Sequence, residues 1–225
     1  MSAAIAQTVA ENVAMVRERI ARAARGAGRD PAAVRLVAAA KTMPAEAVRQ
    51  AIAAGVGDIG QNYVQEAISI MAEIEAPVRW HMIGKLQSNK AARVARAFDV
   101  VQTVDSLSLA VKLSRRAEAA GKILAVLIEV NLAAEPAKGG VAPAEVSALV
   151  AAVREQPGLR VDGLMAIPPA GSAAESRAHF RRLRALGEEN DLRELSMGMT
   201  SDFEVAIEEG ATMVRVGRAI FGPRR

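Results

Sequence analysis

The chain has 225 residues, 51% of them apolar, with 29 basic against 25 acidic side chains for a net charge of +4, and no cysteine. That length and apolar content can bury a full core in one large domain. The missing cysteine removes disulfides, thiolate metal sites and cysteine nucleophiles together, and is compatible with the cytosol.

Residues 2–26 place Ile5, Val9, Val13, Val16 and Ile20 at helical spacing with Ser2 available as a cap, and Gly26 and Gly28 end the helix. They show no apolar core followed by a small-residue cleavage site, and no window is long enough to span a bilayer, so a soluble, cytoplasmic protein is expected. Asp30 and Pro31 lead into an apolar run, 34–41, that ends in Lys41 and is stopped by Pro44. A helix over 44–54 follows, closed by Gly55.

The alternation then continues. Strands are expected at 56–60, 79–83, 99–104, 123–130, 159–167, 195–197 and 212–216. The helices between them are expected at 62–74, 88–98, 106–120, 143–155, 173–188 and 203–209. The run 123–130 is apolar throughout, as in a strand covered on both faces. Eight strands alternating with helices in one chain read as a single (β/α)8 barrel over 1–225, with an extra N-terminal helix. No G-x-G-x-x-G follows the first strand, as an open dinucleotide-binding sheet would need.

In such a barrel, function sits at the C-terminal ends of the strands, and that sorts the lysines. Only six are present. Lys41 ends an apolar strand, where partial desolvation favours the nucleophilic amine; a solvated surface lysine is the alternative. Lys122 begins a strand and Lys112 lies within a helix, whereas Lys85, Lys90 and Lys138 fall in loops on the functional side, where they would steer an anion. Ser196-Met197-Gly198-Met199-Thr200-Ser201-Asp202 and Val214-Arg215-Val216-Gly217-Arg218 follow strands seven and eight, where barrels build phosphate sites. Asp202 reads as a helix cap. Arg215 either faces the site or pairs with a strand-end carboxylate such as Glu129. Asn62 and Tyr63 either face the mouth or serve as cap and packing.

His81 reads as a hydrogen-bonded barrel histidine, with a catalytic role the alternative, and His179 as a surface residue; the two make no metal site. The arginines are scattered and aromatics make up only 3%, which argues against nucleic-acid binding. Arg177, Arg181, Arg182 and Arg184 read as a solvated helix face.

Leu36-Val37-Ala38-Ala39-Ala40-Lys41-Thr42, Gly60-Gln61-Asn62-Tyr63-Val64-Gln65-Glu66, Trp80-His81-Met82-Ile83-Gly84-Lys85-Leu86-Gln87-Ser88-Asn89-Lys90, Gly163-Leu164-Met165-Ala166-Ile167-Pro168, Ser196-Met197-Gly198-Met199 and Val214-Arg215-Val216-Gly217-Arg218-Ala219-Ile220-Phe221-Gly222 stand together here. On these stretches the sequence resembles the pyridoxal phosphate homeostasis protein family. Asn131, Glu135, Lys138 and Gly139 match a further loop pattern of that family. Gln61 departs from its usual Glu, and Thr200 from its usual Ser.

The resemblance implies a barrel like the N-terminal domain of alanine racemase, with pyridoxal 5'-phosphate (PLP) held as an internal aldimine on Lys41. It implies Arg215 at the pyridine nitrogen, where a second positive charge is disfavoured and the ring is a weak electron sink. Thr200, Gly217 and Arg218 would hold the phosphate. The full expected cofactor-binding set is Lys41, Asn62, Met199, Thr200, Ser201, Arg215, Gly217 and Arg218.

The implied role is to store, buffer or deliver PLP, with PLP-dependent apo-enzymes as recipients, and the expected form is a monomer or weak homodimer. A PLP-dependent racemase is the competing class. It needs a second acid/base opposite Lys41 and walls that exclude water, which alanine racemase draws from another domain and a partner subunit, and the chain ends at Arg225, directly after the barrel. A barrel aldolase using Lys41 on sugar phosphates is the third class.

Overall fold

A computed structural model of the chain describes residues 8–135, 138–169 and 171–223. Helix α1 (Val9–Gly26) starts at a capping box, in which Thr8 accepts the Glu11 N–H and the Glu11 side chain accepts the Thr8 N–H. Ser2, the expected cap, lies outside the described residues.

Eight strands alternate with helices: β1 (Arg35–Ala39), α2 (Ala45–Ala53), β2 (Asp58–Gln61), α3 (Val64–Met71), β3 (Arg79–Met82), α4 (Ala91–Ala97), β4 (Val100–Val104), α5 (Leu107–Ala119), β5 (Leu124–Glu129), α6 (Val146–Arg154), β6 (Leu159–Met165), α7 (Ala173–Glu189), β7 (Glu194–Ser196), α8 (Phe203–Glu208), β8 (Met213–Val216) and the short α9 (Arg218–Phe221). The strands pair in parallel in chain order, and β8 returns to β1 with Val37 opposite Arg215, which closes the barrel. This is the (β/α)8 fold expected from the alternation.

Local hydrogen bonding accounts for the boundaries that moved. The Val56 N–H is donated to the Ala51 carbonyl, closing the end of α2, so β2 starts two residues later than expected. Residues 88–90 and 143–145 form single tight turns ahead of α4 and α6. Asn62 is not the cap of α3: Tyr63 holds that position without a side-chain bond, and at 58% exposure it is not packed.

Val37, Leu127, Met165 and Met213 fill the barrel interior, while the larger core lies between strands and helices around Phe98, Phe180 and Phe203. Helix α1 packs on α8 and α9. There Arg19 binds Glu204 through two bonds of 2.7 and 2.8 Å and lies 4.5 Å over the Phe203 ring, and Asn12 Nδ2 donates to the Ile220 carbonyl.

The arginines of α7 are not a free solvated face. Arg177 and Arg181 both bind Glu209, a buried carboxylate just past α8, at 2.6 and 2.9 Å, and Arg182 and Arg184 donate to the Leu132 and Glu209 carbonyls. A buried carboxylate needs such partners, and the residue supplying it lies far away in sequence. Among the described residues no helix is long and apolar enough to cross a membrane.

Candidate functional site

β1 stops at Ala39, and Lys41 sits half-buried in the turn beyond it. Thr42 follows with φ +62°, a left-handed conformation that a β-branched residue rarely adopts. Two contacts hold it there: its N–H is donated to the Glu66 carboxylate of α3, and its hydroxyl is donated to the Lys41 carbonyl at 2.6 Å. The lysine is therefore carried on a strained, tethered turn.

Asn62 follows β2 and meets the loop after β3 at Gly84, where a Cβ would stand 2.4 Å from the Asn62 carbonyl oxygen. Gly198, after β7, has φ +89°, and a Cβ there would stand 2.6 Å from that of Ala206. This lets the 199–202 turn fold back over the barrel mouth. Asp202 stands at the start of α8, yet its carboxylate accepts the Met199 N–H at 2.7 Å instead of capping the helix. Among the described residues, the N–H and hydroxyl groups of Thr200 and Ser201 have no protein acceptor.

Lys41, Asn62, Met199, Thr200, Ser201, Arg215, Gly217 and Arg218 all line one cavity of about 530 Å³ at the C-terminal mouth of the barrel. Met43, Ile83, Ile167 and Phe221 complete its apolar walls. The sequence reading missed those four, although Ile83 and Ile167 fall at the ends of expected strands, which is the available signal. Glu66 was also missed: its role depends on a turn conformation that sequence does not announce.

Arg215 is buried, with Nη1 donating to Ser196 Oγ at 2.6 Å and Nη2 to the Ala166 carbonyl at 2.9 Å. Burial lowers its pKa to about 10, against the opposing pull of Glu129 and Asp202, so it stays charged at neutral pH. It makes no ion pair within 4 Å with Glu129, which answers the alternative left open for this residue. Burial, then Asp105, pushes the Glu129 carboxyl up to about 7, with Arg215 and Lys85 pulling the other way.

The remaining lysines stay off the cavity wall. Lys85 is exposed, Lys90 is half-buried, and Lys138 pairs with Glu135 at 2.7 Å. Lys122, at the N-terminal end of β5, donates to the Phe98 carbonyl. His81 is a buried, hydrogen-bonded barrel histidine, as expected. Among the described residues no group of three His, Cys, Asp or Glu side chains could hold a metal ion.

The closed parallel barrel matches the fold of the alanine racemase N-terminal domain, and the family model of that description matches residues 7–225. The pyridoxal phosphate homeostasis protein of Pseudomonas aeruginosa is 49% identical over 221 residues, covering 96% of each chain, and that of Escherichia coli K12 is 42% identical, covering 96% of this chain and 97% of its own. PipY of Synechococcus elongatus, solved with PLP bound, superposes with a TM-score of 0.85 at 38% identity, covering 96% of this chain and all of its own. The chain belongs to the pyridoxal phosphate homeostasis protein family.

Proposed function

We propose that this protein binds PLP and serves PLP homeostasis as one barrel domain in the cytosol, holding the cofactor on Lys41 and delivering it to PLP-dependent apo-enzymes. The observation that carries the reading is the convergence of eight residues from four separate parts of the chain on one cavity whose chemistry suits each end of that molecule.

The residues fit the group. The unpaired N–H and hydroxyl groups of Thr200 and Ser201, with Gly217 and the Arg218 guanidinium, form a donor set suited to a phosphate. A Cβ on Gly217 would stand 3.0 Å from the Ala39 carbonyl oxygen, a contact tight enough to require a small shift of the β1 backbone. Arg215 is a fixed cation suited to an unprotonated ring nitrogen, and Ile83, Ile167 and Met199 supply apolar walls beside Asn62. When bound, PLP supplies an aldehyde that condenses with an amine with loss of water. Lys41 is the amine on this cavity's wall.

The relatives named for PLP homeostasis and the PLP-bound PipY support the same reading. Among the described lining residues the titratable groups are Lys41, Arg215 and Arg218, which offers a racemase no carboxylate, imidazole or phenol as a second acid/base.

The test is a visible absorbance spectrum of the purified protein before and after borohydride, with peptide mapping. A yellow band lost on reduction and a pyridoxyl adduct on Lys41 are expected, together with no turnover in a racemase assay. A protein that stays colourless and unlabelled after incubation with PLP would overturn the reading.

A further inference from the structure

Beneath the cavity floor, six polar side chains form one file across the barrel interior. Arg215 Nη1 donates to Ser196 Oγ at 2.6 Å, and Ser196 Oγ donates to Gln102 Oε1 at 2.6 Å. Gln102 Nε2 lies 2.9 Å from His81 Nδ1, and His81 Nε2 lies 2.8 Å from Asp58 Oδ1. Arg79 Nε closes the file on the same carboxylate oxygen at 2.9 Å. Ser196, Gln102 and His81 are fully buried, while Arg79 is half-exposed at the opposite end of the barrel.

The chemistry of the two ends fixes the direction of every bond between them. A guanidinium only donates and a carboxylate only accepts. Ser196, accepting a hydrogen bond from Arg215, donates its own hydroxyl proton to an oxygen, so Gln102 turns its oxygen to Ser196 and its NH2 to His81. His81 must then offer a lone pair at Nδ1 and carry its proton on Nε2, toward Asp58. The opposite Gln102 orientation would aim two donors at Ser196, leave its hydroxyl proton without an acceptor in the file, and require a proton on both ring nitrogens.

Burial alone would raise the Asp58 carboxyl, but its hydrogen bond from His81, and the charge and hydrogen bond of Arg79, bring it below its usual range, so the terminal acceptor is a carboxylate.

We propose that His81 is a positioning residue for Arg215. Held as the Nε2–H tautomer between Gln102 and Asp58, it fixes the polarity of the file, which holds the Arg215 guanidinium in one orientation with its remaining N–H groups on the cavity side. The consequence for PLP rests on the function proposed above; the consequence for Arg215 in the cofactor-free protein does not.

The first arm uses the cofactor-free full chain labelled with 15N, with His179→Gln to leave one imidazole and Arg215→Lys to identify the Arg215 guanidinium signals. Long-range proton–nitrogen spectra are expected to show a proton on Nε2 and a bare Nδ1 for His81, and His81→Phe is expected to shift the Arg215 signals while His81→Gln, which keeps an acceptor and a donor, largely restores them. A proton on Nδ1, or Arg215 signals unmoved by His81→Phe, would overturn the proposal.

The second arm measures PLP affinity on the folded fraction. His81→Phe should weaken it by roughly three- to tenfold, with His81→Gln close to wild type. Should His81→Phe fail to fold, Ser196→Ala breaks the file at its last link and is expected to give the same loss in both arms. Affinity unchanged in the folded variants, with only a lowered melting temperature, would overturn the proposal by reducing the file to core structure. If the wild-type chain binds no PLP, the function proposed above fails, and the Arg215 signals alone still decide this one.

Discussion

Thr42 donates its backbone N–H to the Glu66 carboxylate, which ties the residue after Lys41 to the first turn of α3. This bond holds a left-handed β-branched residue that costs on the order of 1–3 kcal/mol to maintain. Glu66→Ala is expected to lower unfolding stability by about 1 kcal/mol in urea titrations and to speed PLP loss, because the turn carrying Lys41 is released. Glu66→Gln keeps an acceptor and should lie between the two.

The raised carboxyl of Glu129 makes stability depend on pH. Its folded pKa, about 7, lies above the ordinary 4.5, so the folded state binds the proton more tightly than the unfolded chain. The cost of ionising it is absent at pH 4.5 and below and fully present above pH 7. Wild-type stability should therefore fall relative to Glu129→Gln as pH rises across that window, by up to about 3 kcal/mol at pH 8. Equal stabilities of the two proteins at pH 5 and at pH 8 would contradict this.

Gly198→Ala should be strongly damaging near the site. It adds a side chain at φ +89° and places it 2.6 Å from the Ala206 Cβ, so the 199–202 turn must move. A loss of about 2–4 kcal/mol is expected in chemical denaturation, with impaired PLP retention at temperatures where the protein is still folded.

Glu209→Ala removes the buried carboxylate that Arg177 and Arg181 share. Both arginines are partly exposed and keep solvent on losing it, which limits the cost to about 1–2 kcal/mol. Thermal unfolding should show it, while the PLP spectrum stays unchanged because Glu209 lies off the cavity wall.

Lys41→Ala should leave the far-UV circular dichroism and melting temperature near wild type, since the side chain is only half-buried, while abolishing borohydride-trapped PLP. Trapped PLP appearing on Lys85 or Lys138 in that variant would reassign the anchor.

The fold was legible because periodicity carries it: the apolar run of β5 and the alternation of strands and helices predict a barrel without reference to any contact. Strand ends alone placed Lys41 at the mouth of the barrel, while for Arg215 they left the cavity and an ion pair both open. The tether of Thr42 by Glu66 did not, since no pattern in either segment names its partner. The direction of Asp202 was also hidden, because capping α8 and closing the 199–202 turn use the same residue at the same place. The arginines of α7 looked solvated because the carboxylate they answer enters from another helix.

The closure of β8 against β1 also constrains when the site can exist. Lys41 comes from the first strand and Arg215, Gly217 and Arg218 from the last, and Val37 meets Arg215 only when the ring shuts. Synthesis must have passed β8 before the cavity has both its amine and its cationic floor. Cofactor capture would then report a closed barrel, and fragments lacking β8 would be unable to take up PLP.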